Sequence, residues 1–181
     1  MNNLNSIFRF GLIFSVFITL VVNSVESQWL LVPMDTVQKN HLKAYGLTYW
    51  TLETPRSYTA KWLLNFRGGA FLLQSSPDVV QRSKEMGVSV EQISDQDYVA
   101  IQQEMDLANM DEILLEKAPK IAVYRPPDDS PYRDPWDDAV KIALEYAEIP
   151  FQSIWDEELF NQNRVYDMFF NMLGYHISSK N

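Results

Sequence analysis

Residues 120–155 read KIAVYRPPDDSPYRDPWDDAVKIALEYAEIPFQSIW, and this stretch decides the predicted fold. An apolar strand, KIAVY, leads through a loop into a helix whose Val140, Ala143, Leu144 and Ala147 fall at positions i, i+3, i+4 and i+7. A second strand-like segment, FQSIW, follows the helix. Strand, helix and strand in this order predict a parallel pair, because parallel neighbours need a crossover connection.

The preceding chain repeats the alternation of strands and helices. QWLLVP (28–33) predicts a strand, and Asp35 or Thr36 predicts the cap of a helix with Val37, Leu42, Tyr45 and Tyr49 on its apolar side. A helix is predicted for residues 77–86, with Pro77 near its start and Gly87 as its stop, and another from Ser94 onward, where Ser94-x-x-Asp97 resembles a capping box. A further helix is predicted for 111–117 and a further strand for 88–94. Residues 61–74 predict a hairpin around Arg67-Gly68-Gly69. The fold class is therefore predicted to be α/β, with a mainly parallel sheet flanked by helices, in one domain over residues 28–181.

Residues 1–27 are typical of a secretory signal peptide. The apolar run from Phe10 to Val22 is shorter than the roughly 20 residues that a spanning helix requires. Val25-x-Ser27 is a suitable cleavage site, and it would leave Gln28 as the mature terminus. The alternative is an uncleaved membrane anchor. The predicted location is periplasmic or secreted, with membrane contact only through this segment.

The composition limits the function further. The chain contains no cysteine, which excludes disulfides, a thiol nucleophile and thiolate metal sites. Its net charge of −9 disfavours nucleic acid, because an acidic surface repels phosphate. No metal site and no particular cofactor are predicted from the two histidines and their spacing.

The loop from Pro126 to Asp138 is the first candidate ligand site, because open α/β sheets bind ligands beyond the carboxyl ends of their strands. Its carboxylates suit a cation or sugar hydroxyls. The alternative is a solvated acidic turn that caps a helix. The candidate binding residues in this loop are Asp128, Asp129, Arg133, Asp134, Trp136 and Asp137.

A second candidate is Asp35 and His41, with Gln38, Asn40 and Lys43 nearby, since a histidine beside a carboxylate can perform acid-base chemistry. A structural role for these residues is the alternative. Aromatic side chains could also form a carbohydrate platform, although such residues more often lie in the core. The aromatic candidates are Tyr49, Trp50, Trp62, Trp136 and Trp155.

The segments QKNHLKAYG, LNFRGG and PWDDAVKIALEYAEIP resemble exported Bacteroidetes-type proteins labelled asparagine synthetase B, over about Leu30 to Leu159. The resemblance implies a flavodoxin-like or glutamine-amidotransferase-like sheet, and a longer protein than this chain. The activity in that label needs an N-terminal cysteine, whereas position 2 is Asn2. It also needs a Gly-rich pyrophosphate loop of the SGGxDS kind, and the sequence lacks one.

The sequence therefore predicts an exported α/β binding or accessory domain for a carbohydrate or other small polar ligand, without a catalytic nucleophile of its own. One alternative is a periplasmic hydrolase that uses the loop carboxylates, with or without a divalent metal. The other is an asparagine synthetase-related protein, which rests on the family label alone.

Overall fold

The computed structural model describes residues 29–126, 130–131 and 139–156. The predicted signal segment therefore lies outside the described residues. The strands are β1 (Trp29–Val32), β2 (Ala60–Leu63), β3 (Phe71–Gln74), β4 (Glu91–Ile93), β5 (Glu112–Leu115), β6 (Ala122–Tyr124) and β7 (Gln152–Ile154). The helices are α1 (His41–Leu52), α2 (Pro77–Met86), α3 (Asp95–Leu107) and α4 (Ala139–Ala147), with a 3-10 turn at Phe66–Gly68. None of these helices is long and apolar enough to cross a membrane.

Five strands form one sheet in the order β4-β1-β3-β2-β5, and every neighbouring pair is antiparallel. The predicted hairpin is confirmed, since β2 and β3 pair across a turn in which Arg67, Gly68 and Gly69 all have positive φ. A Cβ on Gly68 would lie 2.4 Å from the Met34 carbonyl oxygen, so only glycine fits where this turn meets the end of β1.

The helical crossovers through α1 and α2 each join two strands of the five-stranded sheet that run in the same direction but are not neighbours. Helix α1 connects β1 to β2, and β3 lies between them; α2 connects β3 to β4, and β1 lies between those. Along the chain the elements follow one another as β1-α1-β2-β3-α2-β4, and in the sheet the four strands lie in the order β4-β1-β3-β2. This is the split β-α-β arrangement of ferredoxin-like domains. Strand β5 extends the sheet beyond β2.

The predicted mainly parallel, flavodoxin-like or glutamine-amidotransferase-like sheet is therefore wrong. Helices do alternate with strands along much of the chain, but one strand lies between the two strands that α1 joins and one between the two that α2 joins. Alternation alone does not reveal that insertion. The predicted helix over 111–117 is also wrong, because Glu112–Leu115 is the edge strand β5. Among the strands that the structure describes, only β6 and β7 pair in parallel, and they form a separate two-stranded sheet joined by α4.

Both faces of the five-stranded sheet are buried. Leu30, Val32 and Leu73 pack with α1 and α2 on one face, whereas Leu31 and Leu72 pack with α3 on the other. Successive side chains of a strand point to opposite faces, so a strand covered on both sides requires the uninterrupted apolar runs WLLV and FLL. Such runs are also typical of parallel sheets, so they do not distinguish the two arrangements.

The helix boundaries show which local signals were informative. The Ser94–Asp97 capping box and the Gly87 stop after α2 are confirmed. The start predicted for α1 is wrong, since Asn40 caps it by accepting a hydrogen bond from the Lys43 backbone N–H at 3.1 Å. Its buried side contains Ala44, Leu47, Thr48 and Thr51 rather than the predicted Leu42 and Tyr45.

The β6–α4–β7 unit, residues 122–154, packs against the sheet domain through α4 and α1. Their backbones approach so closely that a Cβ on Gly46 would lie 1.8 Å from the Ala147 carbonyl oxygen. Gly46, which weakens α1 as an isolated helix, is therefore required by the neighbouring helix.

Candidate functional site

The carboxyl ends of β6 and β7 bring two aromatic side chains together. Tyr124 ends β6, and Trp155 directly follows β7; because the strands are parallel, both rings lie at the same edge. The rings stack with centroids 5.1 Å apart and an interplanar angle of 26°. Tyr124 is 54% exposed and Trp155 is half-buried, so the pair presents an aromatic surface to solvent. We call Tyr124, Trp155 and Asp156 the aromatic platform.

Asp156 provides the polar component of the aromatic platform. The Tyr124 hydroxyl donates a hydrogen bond to its Oδ1 atom. This hydrogen bond is the main reason that the pKa of Tyr124 is raised, because it stabilises the protonated phenol beside a negative charge. Tyr124 therefore stays neutral across the physiological pH range, and Asp156 has the carboxylate oxygens that can accept hydrogen bonds from a hydroxylated ligand.

Arg125 lies next to the aromatic platform and is only 8% exposed. Its backbone N–H donates to the Ile154 carbonyl at 2.9 Å and extends the pairing of β6 with β7. Its Nη1 atom donates to the Ser153 hydroxyl at 3.3 Å. These contacts connect the end of β6 to the end of β7. They hold the backbones at Tyr124 and Trp155 at a fixed separation.

The loop that the sequence analysis favoured begins at this same edge, because Pro126 directly follows Arg125. Its predicted binding residues lie outside the described residues: Asp128, Asp129, Arg133, Asp134, Trp136 and Asp137. The predicted loop thus leaves β6 at the edge where the aromatic platform lies, and the binding roles of these six residues stay predictions.

The second predicted candidate, around Asp35, includes an ion-pair network with Arg67 at its centre. Arg67 donates through Nε to Asp35 Oδ2 at 2.7 Å and through Nη1 to both Glu91 carboxylate oxygens at 2.8 Å. The hydrogen bond from Arg67, followed by that from the Val37 backbone N–H, lowers the pKa of Asp35. An ionised carboxylate already paired with a guanidinium is a poor general base.

The neighbours of Asp35 also have structural partners. The His41 Nε2 atom lies 3.1 Å from the Met34 carbonyl oxygen. Buried Gln38 donates to the carbonyls of Pro33 and Ser89 and accepts from the Ser89 N–H, thereby connecting β1 to the segment before β4. Asn40 caps α1, and Lys43 pairs with Glu148 at 2.6 Å. These contacts hold the loop between β1 and α1, and a binding role for Asp35 or His41 stays a prediction.

The other predicted platform aromatics lie apart from Trp155. Trp62 stacks on Phe71 with centroids 5.9 Å apart and donates to the Gly69 carbonyl. The Arg56 guanidinium covers the Trp50 ring at 3.7 Å from its centroid, and the Tyr49 hydroxyl donates to the Pro119 carbonyl. These three rings therefore pack within the sheet domain and its junctions, and Trp136 lies outside the described residues.

A second polar cluster, which the sequence analysis missed, lies between α3 and the edge of the sheet. Lys61 on β2 donates to Glu112 at 2.7 Å and to the Tyr98 hydroxyl, which in turn donates to Glu112 at 2.6 Å. Burial lowers the pKa of Lys61, but the hydrogen bonds that it donates to Glu112 and Tyr98 outweigh this effect, so the net shift of the pKa is upward. Burial, followed by the Glu112 hydrogen bond, raises the pKa of Tyr98. Both groups thus keep their protons, and the cluster stabilises β5 on β2.

A repeated pattern in the sequence could have located the aromatic platform. An aromatic residue followed by a charged one lies at the carboxyl end of each strand of the parallel pair, Tyr124-Arg125 at the end of β6 and Trp155-Asp156 directly after β7. Within residues 29–126, 130–131 and 139–156, no cluster of three or more histidine and carboxylate residues could hold a metal ion.

Comparisons of the chain with protein-family models, curated proteins and solved structures found no match.

Proposed function

We propose that this chain is an exported binding domain for a neutral, hydroxyl-rich ligand such as an oligosaccharide, and that the ligand stacks on Tyr124 and Trp155. The observation that carries the proposal is the stacked pair of exposed Tyr124 and half-buried Trp155 beside the Asp156 carboxylate. The C–H faces of a pyranose ring pack against aromatic faces, while its hydroxyls need acceptors such as a carboxylate.

Charge supports a neutral rather than an anionic ligand. The chain has a net charge of −9, and Asp156 lies at the site itself, so a phosphorylated or carboxylated ligand would be repelled. The absence of cysteine and the structural pairing of Asp35, Lys61 and Tyr98 favour binding over covalent catalysis. The hydrolase alternative depends on loop carboxylates outside the described residues, and no contact among the described residues favours it.

Binding is tested by titrating the purified mature protein with cellohexaose, maltohexaose and chitohexaose and following tryptophan fluorescence and heat. We expect at least one of the three to bind, and Tyr124→Ala and Trp155→Ala each to raise its Kd about tenfold to a hundredfold, because each removes the burial of one aromatic face. Tyr124→Phe keeps the ring and should change Kd by less than about fivefold.

Tyr45→Ala is the matched control, since Tyr45 is similarly exposed but lies on α1 in the sheet domain. We expect wild-type affinity from it. Failure of all three oligosaccharides to bind at millimolar concentration, or equal affinity of wild type and both platform variants, would contradict the proposal.

Export is tested by expressing the full chain with its own N-terminus and measuring the intact mass of the protein in each cell fraction. We expect the protein outside the cytoplasm, beginning at Gln28, because the apolar run of residues 10–22 is typical of a signal peptide. A cytoplasmic protein that retains Met1 would refute this part of the proposal while leaving the binding part intact.

A further inference from the structure

Strand β5 turns part of its backbone away from the rest of the sheet. Residue pairs in an antiparallel ladder alternate between pairs that exchange both backbone hydrogen bonds and pairs that exchange none. The Leu64 N–H donates to the Asp111 carbonyl at 2.8 Å, so Asp111 belongs to a pair of the first kind. Glu112 and Leu114 then belong to pairs of the second kind. The N–H and C=O groups of these two residues therefore point away from β2.

The other side of β2 gives the same alternation independently. The Leu63 N–H donates to the Ala70 carbonyl of the hairpin at 2.8 Å, so the odd-numbered residues of β2 bond toward β3. The even-numbered residues, among them Leu64, bond toward β5. Among the strands that the structure describes, β2 is the one that pairs with β5. We call the outward backbone groups of Glu112 and Leu114, with the side chains of Ile113 and Leu114, the β5 edge.

The two apolar side chains of the β5 edge are exposed on opposite faces of the sheet. Ile113 lies across from Trp62 on the face of α1 and α2, and it is 42% exposed. Leu114 lies across from Lys61 on the face of α3, and it is 53% exposed. A helix laid on one face would cover only one of them. A strand added beside β5 covers both, because its own side chains alternate between the two faces.

Charge indicates which strand would fit. Glu112 shares its carboxylate with Lys61 at 2.7 Å, and Glu116, just beyond the strand, is exposed. A second copy paired antiparallel about Leu114 would place Glu112 of each copy opposite Glu116 of the other, and like charges in that position are unfavourable. Two chains of net charge −9 also repel each other. A strand with a basic residue at each end is attracted instead.

We infer that the β5 edge accepts an extended segment of another protein as a sixth strand, and that this segment has an apolar centre between two basic residues. Backbone hydrogen bonds to Glu112 and Leu114 hold the segment, as in other cases of strand addition. Ile113 and Leu114 contact its apolar side chains, and Glu116 contacts a basic one. The β5 edge belongs to the five-stranded sheet, so this inference does not rest on a ligand of the aromatic platform.

The probe is the synthetic peptide acetyl-Thr-Lys-Val-Val-Val-Lys-Thr-amide with a fluorescent label, titrated with the full chain and followed by anisotropy. Paired antiparallel, its central valine lies opposite Leu114 and its lysines lie opposite Glu112 and Glu116. We expect binding with a Kd below about 1 mM. Tyr124→Ala should bind the peptide as the wild type does, because Tyr124 lies on the other sheet.

A pair of N-methylated peptides tests strand addition without any change to the protein. Methylation of the central valine blocks an N–H that would face β5 and should raise Kd at least about tenfold. Methylation of the next valine blocks an N–H that faces away, and it should change Kd by less than about threefold. Leu114→Pro removes the matching outward N–H from the protein and should also raise Kd, while its near-ultraviolet circular dichroism stays that of the wild type.

A charge exchange tests the choice of a basic segment. The same peptide with glutamate in place of both lysines should bind the wild type at least about fivefold more weakly. Glu116→Lys should remove or reverse that preference. Glu104→Lys makes the same change at an exposed position of α3, and it is the matched control that should keep the preference.

Several results would overturn the inference. They are failure of the lysine peptide to bind at millimolar concentration, equal effects of the two N-methylations, and equal affinity of the wild type for the lysine and glutamate peptides. A chain that sediments as a dimer and becomes a monomer in Leu114→Pro would also overturn it, because a second copy would then occupy the β5 edge. None of these results depends on oligosaccharide binding, so the two proposals can fail independently.

Discussion

Leu73→Ala is expected to lower the free energy of unfolding by about 2–5 kcal/mol, the cost of deleting a buried leucine side chain in a packed core. Leu73 lies in β3, is fully buried, and packs on the face covered by α1 and α2. Its strand is the centre of the five-stranded sheet, between β1 and β2, so no edge is available where the cavity could collapse. Urea denaturation of the two proteins, with the midpoint and slope fitted together, measures this loss.

Leu114→Ala is the matched control for that measurement. Leu114 belongs to the edge strand β5 and is 53% exposed, so the same deletion removes much less buried area and should cost below about 1 kcal/mol. Comparable losses in Leu73→Ala and Leu114→Ala would show that the described sheet order, with β3 central and β5 at the edge, is incorrect.

Gly46→Ala is expected to destabilise the protein by about 1–3 kcal/mol, the usual cost of overpacking. Alanine favours an isolated helix by about 1 kcal/mol over glycine, and this gain opposes the loss. However, the new Cβ would lie 1.8 Å from the Ala147 backbone carbonyl oxygen, and no change of rotamer can move a Cβ or a backbone atom. Helix α4 must therefore shift away from α1.

The Gly46→Ala variant is measured by urea denaturation together with hydrogen exchange of α4. Gln103→Ala, at an exposed position of α3, is the control for helix propensity and should leave stability within about 0.5 kcal/mol of the wild type. A Gly46→Ala protein that is more stable than the wild type, with unchanged exchange in residues 139–147, would contradict the close approach of α1 and α4.

Much of the local structure could be predicted from short sequence signals. The Ser94–Asp97 capping box, the Pro77 start and Gly87 stop of α2, and the glycine turn between β2 and β3 all appear where the sequence indicates them. These features depend on neighbouring residues only, because a cap or a turn is satisfied by hydrogen bonds within a few positions of the chain. The parallel pairing of β6 with β7 across α4 is also confirmed, because two neighbouring strands joined by a helical crossover run in the same direction.

The errors arise where distant parts of the chain decide the outcome. EILL at residues 112–115 was predicted to be helical, but its backbone pairs with Ala60–Leu63 some fifty positions earlier, and Glu112 pairs with Lys61. The pairing of Asp35 with Arg67, which the hairpin turn contributes, likewise does not follow from the polar residues after β1. In each case the partner is absent from the local sequence.

The sequence by itself determined the absence of thiol chemistry, the acidic charge, the caps and turns, and a helix with a strand on either side at residues 122–154. Tertiary structure alone decided the antiparallel order β4-β1-β3-β2-β5, because strand order depends on which strand edges meet. The apolar runs of β1 and β3 do not specify that order, since they suit any sheet that is covered on both faces. It also decided that Tyr124 and Trp155, thirty-one positions apart, stack at one edge, since only the parallel register of β6 and β7 brings their rings into contact.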